Sequence, residues 1–433
     1  MDWGGRRKFL PPPFNWRMTI YNIALWCYEC CAKLYARHNS KARLWVEGRK
    51  EIFERLEATI PSNEPIIWVH AASLGEFEQG RPIIEEIKRR EPTTKILLTF
   101  FSPSGYEIRK NYTGADYIFY LPIDRRSYAE HFLDIVKPKA AIFIKYEYWL
   151  NYLDGLRRRN IPTYLASAIF RRNSIFFRPW GGAWRRALKS YTTLFVQNEA
   201  SKVLLKELGI EQVVVAGDTR CDRVAAIAQN RQRIPIVEQF AQGEPLFVAG
   251  STWDPDEELL IELINQNPTT RFVIAPHEMN EERIKRLMQA TKGGVARYTT
   301  ATPDSNFSNT QLLILDTIGI LSSLYSYARW AYIGGGFGVG IHNTLEATIF
   351  GVPVVFGPNY RKFQEACDLI AVGAARSITT ERELNEWFAL LRDDNIALQK
   401  ASSAARSYTE GQCGATHRIV STILPHPNNR PHE

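Results

Sequence analysis

The strongest constraint on the fold is a repeated alternation of short apolar, β-branched runs with longer helical patterns. Seven runs precede a polar stretch with little strand character, Gln229–Glu244, and five follow it. Runs without polar alternation are typical of parallel strands that helices cover on both faces. The runs are Ile66–Ala71, Lys95–Phe101, Tyr117–Leu121, Ala140–Tyr146, Thr163–Ala168, Thr193–Val196, Val213–Gly217, Leu246–Gly250, Arg271–Ala275, Leu312–Leu315, Trp330–Gly334 and Pro353–Phe356.

Two successive series of this kind predict an α/β protein with two Rossmann-like, doubly wound domains facing a central cleft. The predicted boundaries are an N-terminal extension with a membrane-associating helix at 1–45, a first domain at 46–228, a linker at 229–244, a second domain at 245–415 and a tail at 416–433. In such sheets ligands bind beyond the carboxyl ends of the strands, so the functional residues are sought there.

Charge is distributed unevenly along the 433 residues. Residues 1–225 hold 36 basic and 24 acidic residues, a net of +12, whereas residues 226–433 hold 18 and 22, a net of −4. The first half is therefore expected to meet an anionic partner. The six cysteines form no disulfide framework for a chain of this size, which favours a reducing compartment.

An N-terminal helix is predicted to lie at a membrane surface. Its polar residues Asn22, Glu29 and Lys33 share one helical face, and the longest apolar run, Ile23–Tyr28, is far shorter than a spanning helix requires. The aromatic ring of Trp26 suits headgroup depth. The alternative is a helix that packs on its own domain.

A second segment, residues 171–191, interleaves arginines with aromatic residues. This combination suits contact with phosphate and an apolar surface, whether lipid or nucleic acid. The alternative is a solvated helix whose aromatic rings point inward. The candidate contact residues are Arg171, Arg172, Phe176, Phe177, Arg178, Trp180 and Trp184.

A glycine-rich loop in the second half is predicted to bind a nucleotide phosphate. A strand ends in Gly334, Gly335, Gly336, Phe337 and Gly338, and a helix is expected to begin near His342-Asn343. Glycines allow close backbone approach, and a helix start offers free N–H groups. The pattern differs from the dinucleotide-binding fingerprint.

Neighbouring strand ends add further candidates. Ser251 and Thr252 follow one strand, and Pro276-His277 ends the next. The D-x-D sequence Asp254-Pro255-Asp256 resembles a metal motif, but it fits the first turn of a helix better, so no metal is expected.

Two carboxylates follow strands of the first half. Glu76 can act as a general base toward a sugar hydroxyl, or it can close a capping box with Ser73. Glu147 can serve the reaction or simply pair with the adjacent Lys145.

Taken together, these segments resemble the 3-deoxy-D-manno-octulosonic acid (Kdo) transferases of lipopolysaccharide biosynthesis, which have the GT-B fold. The resemblance extends from about Met18 over nearly the whole chain. It is carried by the ordered motifs WVHAASLGE, YEYWLN, GDTRCD, AGST, IAPH, DTIGIL and GGGFG..GIHNTLEA..FGVPVVFGPN.

The resemblance implies transfer of Kdo from CMP-Kdo to a lipid A precursor, without a metal or other cofactor, at the cytoplasmic face of the inner membrane. The first domain would bind the acceptor and the second the donor. By motif, Glu76 corresponds to the catalytic base, and Glu147 and Arg220 correspond to residues that stabilise the transition state. CMP would contact Pro276, His277, Ile318, Gly319, Ile320, Asn343, Thr344, Leu345 and Glu346.

The chain departs from the family pattern at a few of these positions. Pro276-His277-Glu278 stands where Pro-Arg-His is common, Ile320 replaces an acidic residue, Ala347 replaces a proline, and Arg220 replaces a lysine. These changes concern the details of CMP recognition.

Two other functions are weighed against this one. A GT-B transferase or epimerase acting on a UDP-sugar would share the glycine-rich loop. A non-enzymatic, membrane-bound protein that binds anionic lipid would explain the charge but not the strand-end residues. Nucleic acid is not an expected partner.

Overall fold

The computed structural model describes residues 16–62, 64–302 and 304–424, with side chains from residue 20 onward. Residues 1–15 of the predicted extension and the end of the predicted tail lie outside this range. The chain forms two compact units, Met1–Gly217 together with Thr416–Glu433, and Asp218–Ala415.

The first unit alternates strands with helices, as the apolar runs predict. Its elements are α1 (Trp16–Tyr35), α2 (Ser40–Glu47), α3 (Ile52–Thr59), β1 (Ile66–Ala71), α4 (Leu74–Arg90), β2 (Lys95–Phe100), α5 (Pro103–Arg109), β3 (Tyr117–Tyr120), α6 (Arg126–Val136), β4 (Ala140–Ile144), α7 (Leu150–Arg158), β5 (Thr163–Ala168), α8 (Gly182–Leu188), β6 (Thr193–Val196), α9 (Glu199–Glu207) and β7 (Val213–Val215).

These strands form one parallel sheet in the order β3-β2-β1-β4-β5-β6-β7. Its core holds large, fully buried rings, among them Trp68, Phe132, Phe143 and Tyr152. The strand order reverses direction between β1 and β4, so the loops that follow these two strands diverge and leave a crevice at the carboxyl edge.

The second unit repeats the alternation. Its elements are α10 (Thr219–Gln229), α11 (Pro235–Ala241), β8 (Leu246–Thr252), α12 (Asp254–Gln266), β9 (Arg271–Pro276), α13 (Glu281–Ala290), β10 (Gly294–Arg297), β11 (Thr310–Ile314), α14 (Leu321–Leu324), β12 (Ala328–Ile333), α15 (Leu345–Thr348), β13 (Val354–Phe356), α16 (Gln364–Ala371), β14 (Ala375–Ser377), α17 (Glu381–Asp393) and α18 (Asn395–Gly411); a last helix, α19 (Ala415–Ile423), returns to the first unit.

Its parallel sheet has the order β10-β11-β9-β8-β12-β13-β14. Alternate residues of each central strand enter two different apolar clusters, as Phe247 and Val248 of β8 do. Both faces of the sheet are therefore covered, and the direction of the strand order changes between β8 and β12. The predicted α/β class with two doubly wound sheets is confirmed.

Some boundaries differ from the predicted ones. The predicted linker at 229–244 contains α11, because Ile234, Val237 and Phe240 bury one stripe of that helix in the second core. The strands β10 and β14 were not predicted, because these edge strands are short and partly exposed. The predicted tail supplies α19, and Arg418 of that helix donates a hydrogen bond to the Ala216 carbonyl at 2.6 Å.

Helix α1 lies on the first unit by its polar side. The Asn151 side-chain amide donates to the side-chain oxygen Oδ1 of Asn22 at 3.0 Å, and Arg125 pairs with Glu29 at 2.6 Å. Most of its aliphatic and aromatic residues are exposed, although the rings of Tyr21 and Tyr28 contact aromatic residues of the first unit. Among the helices that the structure describes, none has the length and hydropathy needed to cross a bilayer. The large exposed apolar side chains of α1 are Ile20, Ile23, Trp26, Tyr28, Leu34 and Tyr35.

A buried carboxylate fixes α1 to the sheet unit. Asp124, in the loop between β3 and α6, accepts a hydrogen bond from the Tyr21 hydroxyl of α1 at 2.7 Å. It also accepts the backbone N–H groups of Asn151 and Tyr152, at 3.0 and 2.9 Å, which begin α7. Burial outweighs these three donors and raises the pKa of Asp124 to about 7.

This raised pKa makes stability depend on pH in a defined direction. The native state keeps the Asp124 proton between the unfolded pKa of 3.8 and about 7, whereas the unfolded state releases it, so this residue's stabilisation falls as pH rises through that window. We expect the stability difference between wild type and Asp124→Asn to shrink by roughly 1.4 kcal/mol per pH unit from pH 5 to pH 7. Urea unfolding of both proteins at several pH values measures it, and a pH-independent difference would contradict the assignment.

Candidate functional site

In the first unit, the two predicted carboxylates follow strands that are hydrogen-bonded neighbours. Glu76 lies in the first turn of α4, directly after β1, and Glu147 lies three residues beyond the end of β4. Because the strands are parallel, both loops leave the sheet at its carboxyl edge. The fold therefore carries both carboxylates to the crevice where the strand order changes direction.

Glu76 is half-buried, and its carboxylate accepts a hydrogen bond from the Ser73 hydroxyl. Ser73 precedes α4, yet its side chain accepts no backbone N–H of that helix. The backbone capping box considered from the sequence is thus not formed. The carboxylate is held by a neighbouring hydroxyl and remains partly accessible, as a proton acceptor requires.

Glu147 is buried and held from several sides. Its carboxylate accepts the Trp149 indole N–H at 2.5 Å and lies 3.1 Å from Nε2 of His70. The Tyr191 hydroxyl donates to its backbone carbonyl at 2.5 Å. Glu147 therefore forms part of an internal network with His70, Trp149 and Tyr191.

His70 is the residue of this network that the sequence did not single out. Its Nδ1 lies 2.9 Å from the Thr99 hydroxyl, which already accepts the Trp68 indole N–H at 2.8 Å. Nδ1 also lies 3.1 Å from the Thr99 backbone carbonyl, and because a carboxylate only accepts, Nε2–H donates to Glu147. A histidine inside an otherwise apolar strand run was the available signal.

The segment 171–191 divides between the core and the surface. Phe176 is buried, and Phe177 and Trp184 pack against the core of the first unit. Arg172 pairs with Glu207 at 2.6 Å. The inward orientation that the sequence left open thus holds for these three rings, while Arg178 and Trp180 are exposed and Arg171 is half-buried.

In the second unit, the glycine-rich loop after β12 lies beside the end of β8. An ideal Cβ on Gly336 would stand 2.5 Å from the Gly357 backbone nitrogen, so only glycine fits there. Gly335 has a φ of +90°, which also favours glycine. The backbone N–H groups of Gly336 and Phe337 donate to no group within the described residues, whereas the Gly338 N–H bonds the Gly335 carbonyl at 3.1 Å.

Asp256 fixes the conformation of this loop. The sequence pattern predicted only that it is an acidic residue in the first turn of a helix. It is fully buried and accepts the N–H groups of Gly335 and Trp253, both at 2.8 Å. The Tyr332 hydroxyl donates to it at 2.7 Å. Burial raises the pKa of Asp256 despite these donors.

The predicted residues Ser251 and Thr252 have different surroundings. Ser251 is half-buried and has a φ of +54°, an uncommon conformation for a serine. Thr252 is buried, and its hydroxyl donates to Glu257 at 2.8 Å. Arg283 pairs with the same glutamate at 2.9 Å. The Thr252 side chain is therefore part of a buried network that stabilises this loop.

Three rings stack where β8 and β9 end. His277 stacks on both Trp253 and His342, with centroid distances of 4.7 and 4.4 Å and interplanar angles of 29°. The Trp253 indole N–H donates to His342 Nε2 at 3.3 Å. Burial, assisted by His277, lowers the pKa of His342 to about 4, so His342 is neutral at physiological pH. Pro276, the last residue of β9, is buried, whereas His277 is exposed.

The helix predicted to start near Asn343 is shorter and later than expected. It is the single turn Leu345–Thr348, and the Asn343 side chain accepts the Leu345 N–H at 3.2 Å. Glu346 accepts hydrogen bonds from Ser322 at 2.6 Å and Asn343 at 3.1 Å. Thr344 and Leu345 are buried. The extended helix start expected near Asn343 as a phosphate site is therefore not formed.

The loop after β11 is the most exposed of the predicted donor-binding segments. Ile318 is 87% exposed, Gly319 has a φ of +100°, and Ile320 is half-buried. An isoleucine this exposed next to a flexible glycine is free to contact a ligand.

Arg220 belongs to the second unit and begins α10. Its guanidinium pairs with Asp218 at 2.6 Å and with Glu365 at 2.8 Å. Burial opposes its charge, but the two carboxylates outweigh burial and raise its pKa well above the ordinary value. The arginine is thus permanently charged and firmly positioned, while much of its charge is balanced by its partners.

Comparison with solved structures identifies the fold class of the chain. UDP-GlcNAc 2-epimerase from Neisseria meningitidis matches 84% of this chain and 100% of its own at a TM-score of 0.58 and 18% identity. MurG from Acinetobacter baumannii matches 84% and 100% at a TM-score of 0.54 and 15% identity. The chain has two doubly wound parallel sheets, and its fold is the GT-B fold of glycosyltransferases.

The sequence comparisons give the family. Residues 48–223 match the family described as 3-deoxy-D-manno-octulosonic-acid transferase (kdotransferase). The transferase of that name from Bordetella pertussis is 27% identical over 82% of this chain and 86% of its own length, and that of Haemophilus influenzae is 24% identical over 95% and 99%. The resemblance to the Kdo transferases that the motifs indicated is confirmed, and the chain is a glycosyltransferase.

The loop-shaping role of Asp256 is open to a direct stability test. Asp256→Ala leaves two N–H groups and a buried hydroxyl without their acceptor, so we expect unfolding to become about 2–4 kcal/mol easier. Asp254→Ala, two residues away, removes only an exposed carboxylate paired with Arg283 and Arg286, and its effect should stay below about 1 kcal/mol. Urea unfolding compares the two variants, and equal losses would refute the role.

Proposed function

We propose that this protein transfers Kdo from CMP-Kdo to a hydroxyl of a lipid A precursor at the cytoplasmic face of the inner membrane. The similarity to the Kdo transferases supports the transferred sugar. The observation that supports the reaction most directly is the position of Glu76, a partly accessible carboxylate at the strand-order reversal of the first unit. The first unit is then the acceptor unit and the second the donor unit.

Glu76 acts as the general base. Its carboxylate takes the proton of the acceptor hydroxyl as that oxygen bonds to the anomeric carbon of Kdo, and the bond from this carbon to the CMP phosphate oxygen breaks. The Ser73 hydroxyl orients the carboxylate. Glu147 and Arg220 stabilise the transition state, each held in place by its own buried partners.

The glycine loop receives the anionic part of the donor. CMP-Kdo carries a phosphodiester and a sugar carboxylate, which both need N–H or cationic partners. Gly336 and Phe337 offer two consecutive backbone N–H groups that bond no other described residue. Asp256 fixes the conformation of this loop by accepting the Gly335 N–H. Gly335, Gly338, Ser251 and Thr252 complete the surface around them.

His277 contacts CMP. Its ring is exposed and is positioned by ring contacts with Trp253 and His342, so it is available to a nucleobase or ribose. The exposed Ile318 and its neighbours Gly319 and Ile320 pack against the nucleoside. The segment from Asn343 to Glu346 supplies hydrogen-bond acceptors to the ribose.

The acceptor unit meets the membrane through α1 and the exposed part of the 171–180 segment. Trp26 and Trp180 are 56% and 62% exposed, and Arg178 stands beside the second of them. Aromatic rings at headgroup depth and basic residues are the expected features of a surface that binds lipid.

The assignment of the base is tested by substitution. Glu76→Gln keeps the shape of the side chain but removes the proton acceptor, so we expect transfer to fall by at least about 100-fold while CMP-Kdo binding is retained. Mass spectrometry of a lipid A precursor incubated with CMP-Kdo measures transfer, and calorimetry measures donor binding. UDP-GlcNAc as an alternative donor should give no product.

The matched control for this experiment is Glu85→Gln. Glu85 lies on the same helix, is exposed and pairs with Arg81 at 2.7 Å, so its loss should leave transfer unchanged. Unaltered turnover in Glu76→Gln, or unfolding of that variant, would return Glu76 to a structural role. Efficient use of UDP-GlcNAc by the wild type would overturn the proposed donor.

The reaction is proposed to need no metal ion. The carboxylates of the D-x-D sequence are occupied, since Asp256 accepts three hydrogen bonds and Asp254 pairs with Arg283 and Arg286. We expect the initial rate of Kdo transfer to be the same in excess EDTA as in Mg²⁺. A rate that EDTA abolishes and Mg²⁺ restores would show that a metal takes part.

A further inference from the structure

A groove lies between α1 and the beginning of α6, the helix that follows β3. It has a volume of about 630 Å³. Two arginines, a hydroxyl and an indole ring contribute to its lining, together with one carboxylate. The lining residues are Asn22, Trp26, Arg125, Arg126, Ser127 and Glu130.

The carboxylates in and beside this groove already have cationic partners. Glu29 pairs with Lys33 at 2.7 Å and with Arg125 at 2.6 Å. Glu130 pairs with two arginines of the α7 end, Arg158 and, at 2.6 Å, Arg159. Arg126 is exposed and, among the described side chains, forms no ion pair. The groove therefore carries positive charge that its own carboxylates leave unbalanced.

The start of α6 also favours an anion in the groove. Arg125 precedes α6 and Arg126 begins it, no side chain caps this end, and its first turn holds no acidic residue. A helix start favours negative charge, so two arginines there are unfavourable by themselves. An anion in the groove would relieve this repulsion and accept hydrogen bonds from both a guanidinium and the Ser127 hydroxyl.

The groove also borders the exposed apolar surface of α1. Trp26 lines it and is 56% exposed, and Ile23 lies one turn earlier on the same outward surface. The polar side of α1 is occupied by contacts with the protein, as Tyr21 and Asn22 show. An anion bound here would thus stand beside side chains that suit the headgroup region of a bilayer.

We propose that this groove binds the phosphate of an anionic phospholipid headgroup, with Arg126 as the principal ligand. The inference rests on the membrane location in the proposed function and extends it from a general surface to one site. Arg126 forms charge-assisted hydrogen bonds to the phosphate oxygens, Ser127 donates a further one, and Trp26 enters the headgroup layer. The site fixes the orientation of the acceptor unit on the membrane.

Flotation with lipid vesicles tests the site without any sugar transfer. Purified full-length wild type and Arg126→Gln are mixed with vesicles of phosphatidylcholine alone or with 30% phosphatidylglycerol. We expect Arg126→Gln to bind the anionic vesicles roughly fivefold more weakly, the loss that corresponds to about 1 kcal/mol per basic residue near the surface. Binding to phosphatidylcholine should be weak and similar for both proteins.

A matched control separates a site from bulk charge. Arg157→Gln removes the same charge from a side chain that is 58% exposed and pairs with Asp154 at 2.8 Å. It should bind the anionic vesicles like the wild type. Equal weakening by Arg126→Gln and Arg157→Gln would overturn the site. Trp26→Ala should weaken binding to both kinds of vesicle, because it removes apolar contact rather than charge.

Two further outcomes keep this inference separate from the reaction. If Arg126→Gln binds the anionic vesicles normally but raises KM for the detergent-dispersed lipid A precursor, the groove takes a phosphate of the acceptor, and the phospholipid site is refuted. If the wild type shows no Kdo transfer but the vesicle result stands, the groove is supported and the proposed function fails. Unchanged thermal unfolding of Arg126→Gln verifies that its fold is intact.

Discussion

Parallel strand pairing is the constraint on which the rest of the structure depends. Because every paired strand of both sheets runs in the same direction, the carboxyl ends of each sheet lie along one edge. The strand order changes direction between β1 and β4 in the first unit and between β8 and β12 in the second. The residues proposed for the reaction, Glu76 and Glu147 in one unit and the glycine loop in the other, follow these strands.

Buried carboxyl groups then fix the loops that leave these edges. Asp124 joins α1 and α7, Asp256 holds the glycine loop, and Glu147 is tied to His70 and Trp149. A carboxylate removed from water is tolerated only when donors surround it. The same donors that compensate its burial determine the position of the backbone, so local stability and the geometry proposed for function have a common origin.

Helix α1 is amphipathic, but its orientation is the opposite of that of most surface helices. In most globular proteins the apolar face of a surface helix points to the core. Here hydrogen bonds and ion pairs hold the polar face against the first unit, and Ile20, Ile23 and Trp26 remain outside. This orientation leaves the apolar face for a lipid surface and creates the groove beside Arg126.

The sequence by itself determined the α/β class, the two series of strands and the glycine loop, because buried parallel strands require unbroken apolar runs and close backbone approach requires glycine. Its motif order also indicated the family. Only the tertiary structure showed that His70 supports Glu147, that Asp256 shapes the glycine loop and that Glu365 pairs with Arg220. It also decided where the edge strands, the short helix after Asn343 and the unit boundary lie. These features depend on contacts between residues far apart in the chain, and periodicity and local propensity carry no information about such contacts.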